Sequence, residues 1–269
     1  MDGTNLSKVT SANTTYTCGS ETGCSPSQSR PGVWGSGGDQ TLWQYPVPSV
    51  DFNAISFDFA QMKTAAIANG QWLGASGAAG YHLIFNSNGT YTIRRVTGTN
   101  YYDAYDADNG CQRQYQRITS ETQIATGSVS QKPILFFEDT LWVEGTINGK
   151  ATVVAAKFPV QTSNTNIWIP TNLNYLAYDG NHRLGLIAQT DIYFARDIPT
   201  NFRVDGALMA QKGKIIRHGY ISSCGSTTNA VRNSLTINGA IISYNKSYWN
   251  FNNPVVSGFT TRTINYDTR

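Results

Sequence analysis

The sequence predicts a mainly β protein: a single-stranded β-solenoid with a small α+β layer and an irregular, disulfide-bearing N-terminal segment. Two observations support this prediction. Apolar residues come in short runs separated by Gly, Asp or Pro, and a short phrase recurs as VEGTING (143–149), VDGAL (204–208) and INGAI (237–241). Each copy places Gly between apolar residues, as at a corner where the backbone turns sharply. A β-sandwich of similar hairpins is the alternative.

When the apolar pieces Ile167–Ile169 and Leu186–Ile187 are added as further marks, the marks from 143 to 204 lie roughly 15–25 residues apart, a spacing typical of coiled β repeats. If each phrase marks one rung, the large apolar side chains of successive rungs stack into one continuous interior. The predicted interior positions are Leu141, Ile147, Val153, Leu186, Ile192, Val204, Leu208, Ile237 and Ile241.

Composition and apolar pattern divide the chain into three regions. Residues 1–50 are rich in Gly, Ser, Pro and Asn and are predicted to be irregular. Residues 51–130 are predicted to form a helix-plus-sheet region, and residues 131–269 the solenoid. Only 14% of the residues are charged, which is typical of a turn-rich extracellular β protein. The net charge of +3 is too small to indicate nucleic-acid binding.

One helix and one hairpin are predicted before the repeats. Ile55, Phe59, Met62 and Ala66 recur at helical spacing, so a helix over about 54–69 would lay this apolar stripe on a sheet. The segment YHLIF-NSNGT-YTIRRV then has the pattern of two strands joined by an Asn-Gly turn.

The four cysteines predict two disulfides. Cys18 and Cys24 bracket a short, Gly-bearing loop, and Cys111 and Cys224 would form a long-range pair. Four cysteines allow three connectivities, and spacing alone does not choose among them. Zinc binding is disfavoured because it needs a tighter grouping of ligands than these spacings provide. Disulfides imply an oxidising compartment.

The sequence contains no recognisable catalytic motif, so we expect no enzyme activity and no cofactor. His82, His182 and His218 fall in different elements with no nucleophile phrase beside them. The carboxylates nearest the repeats are Asp205 and the pair at 138–139, which are sparse for the catalytic groove of a polysaccharide-cleaving β-helix enzyme.

Two charged clusters have alternative interpretations. Asp103, Asp106 and Asp108 precede Asn-Gly and could hold calcium, but the spacing lacks the closing Glu of an EF-hand loop, and a solvated turn is favoured. Lys212 and Lys214 alternate, which predicts that both lie on the solvent face of one strand.

The repeats also resemble a known family. The series FFEDTLWVEGTINGKATVVAA, LGLIAQTDIYFARDIP, VDGALMAQKGKI, LTINGAII and RTINYD is similar to the C-terminal region of bacterial type IV pilus-associated surface proteins of the prepilin-like, minor-pilin class. The phrases DFAQMKTAAIANGQWL and GYHLIF are similar to the segment before the repeats in that family. The matched phrases span roughly residues 50–267.

The resemblance implies an exported, non-catalytic protein at the bacterial cell surface, with pilin or other pilus-assembly proteins, or a surface glycan, as partner. Members of that family insert in a membrane or pilus core through a hydrophobic N-terminal helix, which is absent from residues 1–269. They also continue beyond the point where this chain stops. We therefore expect the chain to be part of a longer, anchored protein.

Contacts with a partner are predicted for two segments, 97–112 and 161–183, which we expect to be projecting loops. Both carry Tyr, Asn and Asp, which suit contacts without chemistry. The candidate interaction residues are Tyr101, Tyr102, Tyr105, Tyr175, Tyr178, Asp179 and His182. The competing functions are a carbohydrate-active β-helix enzyme and a phage- or fibre-type glycan-binding adhesin.

Overall fold

A computed structural model describes residues 8–19, 24–49, 51, 55–252 and 254–266. Its contacts divide the chain into two compact units, Met1–Asp51 and Phe52–Arg269. No helix among the described residues has the length and hydropathy needed to cross a lipid bilayer.

The described residues of the first unit form four short strands. These are β1 (Val9–Thr10), β2 (Thr15–Cys18), β3 (Gln28–Pro31) and β4 (Trp43–Gln44). β1 pairs with β4 in parallel and β2 with β3 in antiparallel. The predicted disulfide between Cys18 and Cys24 is confirmed, and it closes the connection that leads from β2 toward β3.

The second unit begins with helix α1 (Ile55–Asn69), β5 (Gln71–Leu73), β6 (Gly80–Phe85), β7 (Thr90–Asp106) and β8 (Gly110–Ser128). The remaining strands are β9 (Ile134–Phe137), β10 (Leu141–Ile147), β11 (Lys150–Ala155), β12 (Ile167–Ile169), β13 (Leu173–Tyr175), β14 (Arg183–Ala188), β15 (Ile192–Phe194), β16 (Asn201–Ala210), β17 (Ile215–Arg217), β18 (Val231–Ser243) and β19 (Gly258–Asn265).

These strands form one large sheet in which most pairs are parallel. The first ladder of parallel pairs runs β5–β9–β11–β14–β16–β18. The second ladder runs β6–β10–β12–β15–β17. The third ladder runs β10–β13–β16–β18–β19. Because β5 and β6 belong to these ladders, residues before and after position 130 contribute to the same sheet.

The long strands β16 and β18 each belong to the third ladder in their first half and to the first ladder in their second half. Each strand bends between the two halves at a glycine, and the two glycines are stacked. Gly206 and Gly239 are partners in the register, with φ angles of 148° and 155°. A Cβ on Gly239 would lie 2.0 Å from the carbonyl oxygen of Gly206, so only glycine fits this close approach. Two of the recurring sequence phrases therefore mark equivalent corners in neighbouring strands.

The predicted apolar interior is confirmed as a single hydrophobic cluster. All nine predicted positions belong to it or pack against it, and only Ile241 is partly rather than fully buried. Val153, Leu186, Leu208 and Ile241 form one in-register column across the first ladder. Burying each such side chain stabilises the fold by roughly 1.5–3 kcal/mol.

Helix α1 lies against the opposite face of the first ladder. Phe59 and Ala66 of the predicted stripe are buried beside Phe136 and Val154, and Met62 is partly buried with them. The predicted helix is therefore confirmed, and its observed end at Asn69 matches the expected one. The side chain of Ile55, the fourth residue of the stripe, lies outside the described residues.

The predicted hairpin is confirmed, because β6 pairs in antiparallel with residues 91–96 of β7. β7 continues beyond it and pairs in antiparallel with β8, and these strands of 17 and 19 residues form a second, longer hairpin, referred to as the hairpin. The expectation that 97–112 is a loop is wrong, because most of this segment belongs to these two strands. Residues 161–183 likewise contain two short strands, β12 and β13.

Candidate functional site

A polar groove of about 540 Å³ lies along the outward face of the third ladder. We call this feature the polar groove, and its hydrogen-bonding side chains are Asn172, Asn174, Asn201, Arg203, Ser234 and Thr236. Leu176 and Tyr178 also line it.

Strand register explains why these polar side chains meet. Successive side chains of a strand point to opposite faces, so residues two apart share a face. In β16 the buried Phe202 separates Asn201 from Arg203. The partners of these two residues in β18 are Ser234 and Thr236. The two strands therefore present a small grid of amide, guanidinium and hydroxyl groups on their outer face.

A fully buried carboxylate supports one wall of the polar groove. Asp205 accepts hydrogen bonds from the Tyr178 hydroxyl at 2.5 Å and the backbone amide of Tyr175 at 2.8 Å. Its other oxygen accepts from Asn238 Nδ2 at 2.7 Å and Arg203 Nε at 3.0 Å. Four donors offset the cost of burying this charge. Asp205 is therefore a structural anchor that holds the tyrosine and the arginine in place.

The structure brings together part of the predicted 161–183 interaction segment. The rings of Tyr175 and Tyr178 lie 6.0 Å apart, and both residues line the polar groove. His182 instead accepts a hydrogen bond from the backbone amide of Gly149 at 2.9 Å, and its other ring nitrogen lies 3.7 Å from Asp179. Asp179 and His182 thus hold the loop between β13 and β14 in place beside β11.

Two of the candidate tyrosines of β7, Tyr102 and Tyr105, attach the hairpin to residues of the 196–219 segment, whereas Tyr101 packs within the hairpin. Tyr102 donates to Asp197 at 2.7 Å, and the guanidinium carbon of Arg196 lies 3.3 Å from the centre of its ring. Tyr105 exchanges backbone hydrogen bonds with Gly219. Tyr101 packs edge-on against Tyr115 of the neighbouring strand β8.

The acidic turn of the hairpin forms ion pairs with a lysine. Lys214 Nζ lies 2.8 Å from Asp106 and 2.7 Å from Asp108. The ammonium group therefore stands where the calcium interpretation would place a cation. Asp103 lies earlier in β7, further from the turn, where it pairs with Arg113 of β8. No group of His, Cys, Asp or Glu within the described part of the chain has the arrangement of a metal site.

The prediction that Lys212 and Lys214 both face solvent is corrected by the structure. Lys214 is buried, and Lys212 reaches the backbone carbonyl of Val160. Arg217 and His218, which follow the two lysines in the sequence, are also internal. Arg217 donates to the carbonyls of Asn229 and Ala230, and His218 is fully buried. Both lysines lie in the bend between β16 and β17 rather than in a strand, and the acidic turn between β7 and β8 covers Lys214.

Burial and the neighbouring charges shift the pKa values of this cluster in different directions. Burial raises the pKa of Asp106, but the hydrogen bond from Lys214 and the other nearby donors outweigh it, so the net pKa is lowered. For Lys214, burial acts to lower the pKa, and its two carboxylate partners raise it overall. Burial lowers the pKa of His218 to about 4, so that imidazole is neutral at pH 7.

We expect acid to weaken the attachment of the hairpin through Asp106. Its folded pKa lies below its unfolded value near 3.9. Its contribution to stability is therefore present above that unfolded value and is lost as the pH falls through the folded pKa. In urea titrations, Asp106→Asn should cost about 1–3 kcal/mol at pH 7 and flatten the loss of stability below pH 4.

Asp108→Asn is the matched control for this prediction, because that side chain is 67% exposed and exposed ion pairs contribute only about 0–1 kcal/mol. Equal effects of the two substitutions, or an unchanged acid limb in Asp106→Asn, would contradict the proposed role of Asp106.

The remaining candidate catalytic groups also have structural partners. Asp139 accepts hydrogen bonds from Ser76 and pairs with Lys157 at 2.8 Å. Glu138 accepts from Trp72 Nε1 at 2.9 Å. His82 lies between two glutamates, with Nδ1 2.8 Å from Glu121.

No family model matches this sequence, and no curated protein or solved structure is significantly similar to it. The fold and site therefore define the class of protein on their own: a mainly β protein with a large parallel sheet, one helix and two disulfides. The disulfides indicate an oxidising environment.

Proposed function

We propose that this chain is a non-catalytic structural and interaction module of an exported bacterial surface protein, of the pilus-associated, prepilin-like class that its sequence resembles. One observation carries the proposal. Three carboxylates beside the parallel strands, Asp139, Asp191 and Asp205, each accept hydrogen bonds from structural partners. The polar groove offers hydrogen-bonding groups for contact without such an acid or base at its surface.

The parallel ladders are, in this proposal, successive rungs of one β-solenoid. Support comes from the pairing of strands roughly 20–35 residues apart, a typical repeat length. The stacked corner glycines and the in-register apolar column are further support. A crystal structure in which the ladders coil about one axis would establish it. Two separate facing sheets would instead establish the β-sandwich.

A stiff scaffold suits display outside the cell. Parallel pairing on both sides of β11, β14, β16 and β18 leaves few strand edges exposed. The second predicted disulfide, Cys111–Cys224, is also confirmed. It attaches the start of β8, and with it the hairpin, to the segment between β17 and β18. Such a module keeps its shape under conditions that would unfold a loosely held chain.

The location is tested in the organism that makes the protein. We expect a C-terminally tagged full-length protein to be accessible to protease on intact cells and to leave the cells with filaments removed by shearing. Its four thiols should resist alkylation until a reductant is added. A tagged protein that stays in the cytoplasm with reduced thiols would overturn the proposal.

The competing enzyme function makes a different prediction. A polysaccharide-cleaving enzyme needs a carboxylate pair, or a carboxylate and a base, positioned around the scissile bond. We expect no release of reducing ends from neutral or acidic polysaccharides incubated with the purified protein. Release that is abolished by Asp205→Asn, in a variant that remains folded, would support the enzyme instead. The polar groove favours glycan binding without turnover.

A further inference from the structure

We propose that the polar groove binds a neutral oligosaccharide. This inference rests on the proposed function, because it names the partner of a non-catalytic interaction module. A sugar has hydroxyl edges that pair with amides and hydroxyls, and ring faces that are largely apolar. The polar groove offers both kinds of surface.

The hydrogen-bonding part of the polar groove suits hydroxyl groups. A side-chain amide both donates and accepts, and the Ser and Thr hydroxyls do the same. Asn201 and Ser234 share a hydrogen bond of 3.0 Å, which holds both side chains in place before a ligand arrives. Neighbouring strands lie about 4.8 Å apart, so the groups repeat at that interval across β16 and β18.

The apolar part of the polar groove comes from the loop after β13. Leu176 and Tyr178 are 47% and 39% exposed, so both present apolar surface to the polar groove. Tyr178 is held through its hydroxyl by Asp205. An aromatic ring fixed beside amide groups matches a ring that is apolar on its faces and polar at its edges.

The net charge of the polar groove favours neutral ligands over acidic ones. Arg203 is the cation among the side chains that line the groove, and its Nε donates to the fully buried Asp205. This ion pair leaves little net charge to attract a phosphate backbone or an acidic polysaccharide. A neutral, hydroxyl-rich ligand does not need a net charge in the polar groove in order to bind.

Backbone pairing disfavours an extended peptide as the ligand. Peptides commonly bind by adding a strand to a free sheet edge. Along the polar groove, β18 is paired with β16 on one side and with β19 on the other. Recognition there must use side chains. The volume of about 540 Å³ lies within the range of small-molecule sites, so a short oligosaccharide fits better than a protein surface.

The test is an array of neutral, acidic and amino-sugar oligosaccharides, followed by calorimetry with the neutral compounds that bind. Thr236→Arg should fill the groove and raise the Kd at least tenfold. Thr152→Arg is the matched control, because Thr152 is also a half-buried residue on a strand of the sheet but lies in another ladder, away from the groove. Both variants should keep the native midpoint of urea unfolding.

Three outcomes would overturn the inference. They are binding of acidic glycans or peptides alone, no binding to any neutral oligosaccharide, and equal Kd values for native protein and Thr236→Arg. None of these results bears on whether the protein is exported and attached to filaments. Failure of the oligosaccharide site is therefore distinguishable from failure of the proposed function.

Discussion

Leu208→Asp is expected to unfold most of the second unit at 25 °C. Leu208 is fully buried in β16, in register between Leu186 of β14 and Ile241 of β18. An aspartate there removes an apolar side chain from the core and buries a charge with no partner. The combined cost of roughly 4–5 kcal/mol or more is a large part of the 5–15 kcal/mol that stabilises a typical domain.

The measurement is urea-induced unfolding monitored by circular dichroism, and the control is a substitution at the neighbouring residue Ala207. Ala207 belongs to the same strand, but its side chain is exposed on the opposite face. Ala207→Asp should change the free energy of unfolding by no more than about 0.5 kcal/mol. Similar unfolding midpoints for the two variants would show that the two faces of β16 are wrongly assigned.

Loss of the Cys111–Cys224 disulfide should have the next largest effect. The bond joins the start of β8 to a residue 113 positions further along the chain. Closing so long a loop restricts the unfolded chain strongly, and removal of a native disulfide typically costs 2–5 kcal/mol. We expect the double variant Cys111→Ser with Cys224→Ser to unfold at a lower urea concentration and to exchange amide hydrogens faster at the hairpin tip.

The other disulfide is a built-in control. Cys18 and Cys24 lie only six positions apart in the sequence, and both belong to the first unit. Replacing that pair by serine should leave hydrogen exchange in β7 and β8 unchanged, because the shorter loop restricts the chain less. If the two double variants had the same hydrogen exchange in the hairpin, the long-range bond would not be what attaches it.

Several features of this fold could be predicted because local pattern determines them. The stripe containing Phe59, Met62 and Ala66 has helical spacing, so it forms a helix wherever its apolar face can be covered. The Asn-Gly turn at 88–89 and the alternation on either side of it specify a hairpin without any distant contact. The apolar column through Leu186 and Leu208 follows from repeated phrases of similar length.

The expectations for segment 97–112 and for Lys214 failed because the contacts that decide them join residues far apart in the sequence. Both stretches are polar, and polarity alone predicts a solvated loop or an exposed strand face. In the structure the hairpin lies against the parallel strands, so Asp106 and Lys214 neutralise each other in a buried contact. A charge that has a partner of opposite sign can be buried, and that partner is more than a hundred residues away in the sequence.

Part of the polar groove could likewise be predicted from the sequence, and part of it depends on the tertiary structure. Tyr175 and Tyr178 were predicted from the composition of their segment, and the sequence also contains the alternation Asn201–Phe202–Arg203 that turns two polar side chains outward. The sequence alone therefore determined which strands are amphipathic and which phrases repeat. Only the tertiary structure decided that Asn201 stands opposite Ser234, and that Asp205 holds Tyr178 beside them. Strand register depends on the packing of the whole apolar interior, which no local pattern contains.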